Sequence, residues 1–361
     1  MIFDPDDPLS QTFRDAVAHT LSDALVDARA DIAGFDAALG PLIDLVIPLA
    51  LGGKHFRPAF LWWAHVGVAG EPADPAPLLR LASSLDLIHA GLLAHDDLID
   101  DAATRRGKPS VHAGASRLSD PPNQALGAAA AIVGGLLLIQ WGERLAQQSG
   151  LLTPKAQKGL DDLLNRVLAG QLADAWASAG GDLTGPGGER PLSAAEKVAE
   201  IDDLKAASYT VVGPVTLGAL AGRADAQQLA GLDRFAWPVG RAFQARDDVL
   251  AVFGDEARTG KPSGNDLRQG KVTALVGSAL TMADAAGLAT LHAVIGDIDA
   301  SDESVARARD VIASCGALSA VERAIAADID QGVRALDEAG LAPVGRAGLV
   351  ALARAAADRD S

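Results

Sequence analysis

An almost wholly apolar run, LASSLDLIHAGLLA (81–94), leads straight into HDDLIDDAATRRGKPSVH (95–112). Such a run predicts a helix that stays buried until it reaches its aspartates. Asp96 and Asp100 are four residues apart, and so are Asp97 and Asp101. On a helix this spacing puts each pair on one face, one turn apart. Four carboxylates within six residues repel one another and weaken the helix that carries them, so a cation is expected to offset the cost. Arg105 and Arg106 follow one turn later. A carboxylate cannot bind a diphosphate directly, whereas a hard cation such as Mg²⁺, with open coordination positions, binds both. The plain alternative is a frayed, solvated helix end. The apolar run ahead of the acids weighs against it, because charges seldom abut buried sequence unless paired.

A second acidic pair lies in RDDVLAVFGD (246–255), again at the end of a long apolar segment. Breaks rich in Gly and Pro fall at 70–77, 119–123, 149–154 and 180–192. Between them the apolar periodicity predicts helices near 8–40, 58–69, 78–102, 124–148 and 153–179, then near 193–208, 210–222 and 225–253. A loop is expected at 254–270, and shorter helices over 271–357, among them 302–315 with Ser301 or Asp302 as cap and Gly316 as stop. Aromatic residues make up only 4% of the chain, which favours helices over strands. No repeat, no sustained β-alternation and no long linker is visible. The expected fold is all-α: a single domain over 1–361, built as a bundle of antiparallel helices around a central cavity.

The net charge of −16 argues against nucleic acid or an anionic membrane surface as the main partner. Anion binding must then depend on Mg²⁺ and a local cluster of cations. ALGAAAAIVGGLLLI (125–139) is too short an apolar run to cross a bilayer, and its small residues suit a tightly packed central helix. Membrane association is expected to be loose at most. The single cysteine, Cys315, leaves no internal disulfide, and the N-terminal sequence lacks the pattern of a signal peptide. A cytoplasmic location is the expectation.

These motifs resemble those of the trans-isoprenyl diphosphate synthases, the polyprenyl synthetases. Asp96–Asp100 and Arg105-Arg106-Gly107 match the family's DDxxD followed by RRG. GGKHFRP (52–58) is similar to its GGKxxRP, QLAD (171–174) to its QxxD and KAASY (205–209) to its KxxxY-type element. FQARDD (243–248) is similar to the second aspartate-rich motif, and TGKPSGNDLRQGK (259–271) to the loop after it. One DDxxD occurs in class I terpene cyclases too; six elements in family order are far more specific.

The resemblance implies a prenyltransferase that joins isopentenyl diphosphate to an allylic diphosphate (dimethylallyl, geranyl or farnesyl) with Mg²⁺, on the order of three ions per site. It implies metal contacts from Asp96, Asp97, Asp100, Asp247 and Asp248. Arg105, Lys205 and Lys261 would grip the allylic diphosphate. Lys54, Arg57, His89 and Arg106 would hold isopentenyl diphosphate, with Gln171, Asp174, Tyr209, Gln244 and Lys271 also lining the site. His89 stands two turns ahead of Asp96 on the same face, which favours a ligand role over that of a core histidine. His55 falls at a variable family position and is assigned no role.

The chain departs from the pattern twice. Ala251 replaces the third acid of the second motif, and Gly135 stands where relatives usually carry an aspartate. Gly91 and Leu92, one turn below Asp96, replace the bulky residues that floor the pocket in short-chain relatives. Growth to geranylgeranyl diphosphate is therefore expected, with farnesyl or longer products as alternatives. A homodimer through 124–148 is expected as well. A class I terpene cyclase would need a different second motif, and a non-catalytic partner subunit would lose first-motif acids that are all present here. A di-iron bundle would need Glu-x-x-His pairs, which the sequence lacks.

Overall fold

The computed structural model describes residues 2–179, 200–254, 264–271 and 273–359. These fall into two compact units. The first comprises Met1–Gly159, Pro214–Leu229 and Leu341–Leu352. The second comprises Leu160–Gly213, Ala230–Gly340 and Ala353–Ser361. Among the described residues the chain is all-α apart from one two-stranded hairpin.

In the first unit, α2 (Gly40–Ala50) follows α1 (Gln11–Phe35), which fills most of the helix expected over 8–40 but ends early. Asp36 breaks it: its backbone is extended, and its side chain accepts from the Ala38 amide at 2.9 Å to start a 3₁₀ turn. No helix was expected over 41–57, where Pro41 and Pro48 obscure the periodicity of α2. α3 (Phe56–Ala69) is buried along nearly its whole length. Trp62 and Trp63 lie fully inside, and Phe3 meets the Trp62 ring edge-on with centroids 4.8 Å apart.

α4 (Ala76–Ile99) presents Leu78, Leu81, Leu85 and Ile88 to the core, a helical spacing. It packs most extensively on α6 (Gln124–Gln148), which begins where Asn123 caps the Leu126 amide at 3.2 Å. The two backbones approach through glycines. A β carbon on Gly91 would stand 2.5 Å from the Gly135 carbonyl oxygen, and one on Gly142 would stand 2.8 Å from that of Ser84. This corrects the expectation for Gly91: it faces α6, not a pocket into which a product could grow. The same contact gives Gly135 a role, since a β carbon there would stand 2.3 Å from His95 Nε2. A bare backbone lets the His95 ring lie against α6 and reach the Ile132 carbonyl at 3.0 Å. α6 is also less enclosed within this unit than expected, for Ile132, Val133 and Leu136 are about half exposed. By length and composition α4 and α6 could each cross a membrane, a test that core helices also pass.

α4 stops at Ile99, with Asp100 as its C-cap and Asp101 at φ 49. The expected pairing of Asp97 with Asp101 on one helical face is therefore not formed. Asp96 and Asp100 keep their one-turn relation, joined by the Asp100 N–H to Asp96 carbonyl bond at 2.8 Å. The arginines that follow sit on a hairpin of β1 (Thr104–Arg105) and β2 (Lys108–Pro109). Its central residues, Arg106 and Gly107, have φ of 51 and 72, as a type I′ turn requires. α5 (Val111–Ser116) then leads into α6.

In the second unit, α7 (Pro154–Ser178), which starts in the first, flanks a π-helical stretch, Asp203–Val212. α8 (Gly213–Ala221) returns to the first unit, and α9 (Ala226–Phe253) comes back to the second. Two glycines set the spacing. A β carbon on Gly170 of α7 would stand 2.6 Å from the Lys205 nitrogen, and one on Gly240 of α9 2.9 Å from the Ala207 β carbon. Then follow α10 (Asn265–Arg268), α11 (Ala274–Met282), α12 (Ala285–His292), α13 (Asp302–Ser314) and α14 (Ala317–Ala335), while α15 (Pro343–Ala357) starts in the first unit and ends in the second. Ser301 caps α13 by accepting from the Ser304 amide at 3.2 Å, and Gly316 (φ 90) follows the helix, as its sequence implies. Residues 193–199 of the helix expected over 193–208, the 180–192 break and residues 255–263 of the loop expected at 254–270 lie outside the described residues.

Candidate active site

The acidic end of α4 divides its carboxylates between two tasks. Asp97 is buried, and two nitrogens of Arg105 grip it: Nε to both oxygens at 2.8 Å and Nη2 to Oδ1 at 2.6 Å. Asp96 is partly open, with Arg105 Nη2 3.8 Å from its Oδ2, and Asp100 is exposed. Arg105 thus braces the hairpin on the buried acid, while Asp96 and Asp100 form the accessible pair. Asp101 is fully exposed, 3.7 Å from His112 Nε2.

Further back along α4 the cationic positions converge. His89 is held well below the ordinary imidazole value by burial and then by the charges of Arg57, Arg106 and Arg105, so its ring is neutral at pH 7. The Arg106 guanidinium is lowered by partial burial and by Arg105; Asp86 offsets part of this, and Arg57 adds to it. Arg106 lies against the glycines of the GGKHFRP loop, where a β carbon on Gly52 would stand 2.5 Å from its Nη1. Lys54 is exposed on that loop and Arg57 partly exposed in the first turn of α3. The expected quartet Lys54, Arg57, His89 and Arg106 therefore belongs to one unit, with Arg57 and Arg106 both close enough to act electrostatically on His89, and Arg57 on Arg106.

In the second unit Lys205 Nζ bonds Asp174 Oδ2 at 2.6 Å, a meeting allowed by the close approach at Gly170 one turn before Asp174. Asp202 is raised to about 6 by burial and by Asp174 and Asp203, with Lys205 opposing. Asp248 is raised to about 8 by burial and by Asp202; the 2.8 Å bond from Gln244 Nε2 opposes this, and Asp247 and Asp266 add to it. Asp247 is half exposed, and Arg359 Nη2 lies 2.6 Å from its Oδ1. The Arg359 guanidinium sits 3.7 Å over the Phe243 ring and donates to the Phe243 carbonyl at 2.8 Å. Tyr209 is buried on the π-helical stretch, Gln171 partly exposed and Lys271 exposed. Lys261 lies outside the described residues.

The donor chemistry fits a Mg²⁺ requirement. Among the described residues no three His, Cys, Asp or Glu side chains form a cage for an ion. Mg²⁺ is typically held by one or two carboxylates, with waters and substrate phosphates completing its octahedron. Asp96 with Asp100 supplies such a partial set, and the raised Asp202 and Asp248 mark a second place where a cation would relieve carboxylate repulsion. Sequence reasoning missed Asp86, Asp202 and Arg359 and set His55 aside. An acid at position 86, within an apolar helix, is a signal that could have been read, since a buried charge needs a partner. Nothing local to Arg359 foretells its contact, which spans 116 residues.

Residues 43–312 match the family model described as polyprenyl synthetase. The chain is 31% identical over 297 residues to a geranylgeranyl diphosphate synthase of Mycobacterium tuberculosis, covering 81% of this chain and 77% of that one. It is 34% identical over 235 residues to a farnesyl diphosphate synthase of Geobacillus stearothermophilus, covering 62% and 70%. The structure of a geranylgeranyl pyrophosphate synthase from Corynebacterium glutamicum, complexed with isoprenyl diphosphate and magnesium, superposes with a TM-score of 0.87 at 29% identity, covering 99% and 100%. The chain belongs to the polyprenyl synthetase family, whose members condense isopentenyl diphosphate with allylic diphosphates using a divalent metal.

Proposed function

We propose that this prenyltransferase makes geranylgeranyl diphosphate. The observation that carries the reading is the division of α4 into two chemically distinct anion sites. Neutral His89, on which Arg57 and Arg106 act electrostatically, stands about 10 Å along the helix from Asp96 of the accessible pair at 1.5 Å per residue. One diphosphate can be held by direct cationic contacts and another through Mg²⁺. The likeness to geranylgeranyl diphosphate synthases supports this product. Farnesyl diphosphate is the second reading, favoured by the similarity to a farnesyl diphosphate synthase.

Lys54, Arg57 and Arg106 bind the diphosphate of isopentenyl diphosphate, and neutral His89 can give it a hydrogen bond without adding charge. Asp96 and Asp100 would hold Mg²⁺ for the allylic diphosphate, and Asp247 and Asp248 would hold a further ion. Mg²⁺, when bound, draws negative charge from the allylic diphosphate and so favours release of pyrophosphate. Lys205 and Lys261 add positive charge on the allylic side. The double bond of isopentenyl diphosphate attacks the resulting allylic cation, which requires both substrates to be aligned and shielded from water. The departing pyrophosphate accepts the proton lost from the condensed product. The active form is a homodimer joined through α6, located in the cytoplasm, with loose membrane association at most.

Incubation with labelled isopentenyl diphosphate, farnesyl diphosphate and Mg²⁺, followed by product sizing, tests the reading. Geranylgeranyl diphosphate is the expected main product. Chains longer by several units would overturn the product assignment; no condensation onto farnesyl diphosphate, with condensation onto dimethylallyl diphosphate retained, would favour the farnesyl reading, and condensation onto neither would overturn the activity.

A further inference from the structure

His55 immediately precedes α3 and is held at φ 58, ψ 33, a left-handed conformation that favours glycine or asparagine. Its ring makes no capping bond to the amides of α3. Instead Nδ1 lies 2.6 Å from Asp86 Oδ2 on α4, and the two side chains are only 6% and 12% exposed. A carboxylate can only accept, so Nδ1 donates, in a short bond to a buried charge. Lys54 and Arg57 lie one and two residues from His55. Asp86 lies one helical turn before His89 and is the carboxylate that sustains the Arg106 charge. The pair therefore ties the loop bearing two of the cations to the helix and hairpin bearing the others.

We propose that His55 and Asp86 are positioning residues for the isopentenyl diphosphate site. The proposal rests on the assignment of Lys54, Arg57, His89 and Arg106 made above. The hydrogen bond fixes the backbone between Lys54 and Arg57, so both cations keep their spacing from Arg106 before substrate arrives. Asp86 also limits repulsion within the cationic cluster, at a point where it need not touch the diphosphate. Losing the pair leaves these cations in place but less well ordered. The cost then appears in binding of isopentenyl diphosphate and not in the chemical step or on the allylic side.

Two substitutions at His55 separate the side chain from the backbone. His55→Gly relieves the left-handed strain and removes the donor, whereas His55→Asn tolerates the same backbone and keeps an N–H donor near the Nδ1 position. Steady-state kinetics with both substrates varied, alongside thermal melts, provide the readout. His55→Gly and the isosteric Asp86→Asn are each expected to raise KM for isopentenyl diphosphate about tenfold, a shift typical of losing a charge-assisted bond. In the same variants kcat and the allylic KM should stay within about twofold of wild type. His55→Asn should recover most of the loss, and the double variant His55→Gly/Asp86→Asn should be no worse than the worse single one, because the two act as a unit. A wild-type KM for isopentenyl diphosphate in His55→Gly overturns the proposal, and so does an equal decline in kcat and both KM values. Arg57→Ala serves as the control: an unchanged KM for isopentenyl diphosphate there overturns the parent site assignment, whatever His55→Gly shows.

Discussion

Asp96, Asp97, Asp100 and Asp101 are chemically identical, yet their surroundings assign them different work. Arg105 holds Asp97 inside, Asp101 points into solvent beyond the helix end, and only Asp96 and Asp100 combine access with one-turn spacing. Asp96→Ala and Asp100→Ala are each expected to lower kcat at least about a hundredfold, in line with losing an electrostatic contact that stabilises charge in the transition state. Asp101→Ala should stay within about threefold of wild type, as expected for a fully exposed side chain. Initial rates at saturating Mg²⁺ check both, and wild-type turnover by Asp96→Ala would remove the metal assignment. Asp248 gives a pH prediction. Its folded-state value of about 8 exceeds its ordinary 3.8, so between these limits the folded chain holds a proton that the unfolded chain has released. Its contribution to stability is complete below the lower value and is lost as the pH rises through the upper one. Metal-free protein should therefore resist urea less well at pH 8 than at pH 5, and Asp248→Asn should reduce that difference. An unchanged slope in the variant would assign the proton to another carboxylate.

At the scale of the element, the contact between α4 and α6 decides what a substitution in the first motif's helix can do. Gly91 has no space for a side chain, because its β carbon would already meet the backbone of Gly135 and the Ile139 side chain. Gly91→Phe is therefore expected to separate the helices and destabilise the protein by about 3 kcal/mol or more, the upper range for overpacking. It should not trim the product while leaving the fold intact. Leu92, one position on, is partly exposed. Leu92→Phe should fold normally and shift the product toward farnesyl diphosphate. Thermal melts and product sizing on the two variants distinguish these outcomes; a stable Gly91→Phe enzyme would show that α4 and α6 have room to separate.

For the whole molecule, the exposed face of α6 leaves Ile132, Val133 and Leu136 uncovered within their own unit. Covering what remains exposed of these three side chains contributes about 1 kcal/mol each, half the value for full burial, which favours association when the surrounding surface is complementary. Light scattering is expected to give twice the chain mass. Leu136→Asp should shift the species toward the monomer, because an unpaired carboxylate would be buried at the centre of the interface. A monomer mass for the wild-type protein at working concentration would remove α6 as an interface.

The helical class, the extent of α6, the cap and stop of α13 and the one-turn spacing of Asp96 and Asp100 could all be read from the sequence. Each depends on geometry within a single element, where residue spacing alone decides which side chains share a face or end a helix. The cationic loop was readable for the same reason, as a short motif with its residues adjacent. What the tertiary structure decided was which face met which partner. Gly91 became a helix contact because α6 lies against it, 44 residues along the chain at Gly135. His55 found Asp86 across 31 residues, and Arg359 found Phe243 across 116. Local spacing carries no information on such meetings, because they arise from packing among elements whose relative placement is set by their combined apolar surfaces.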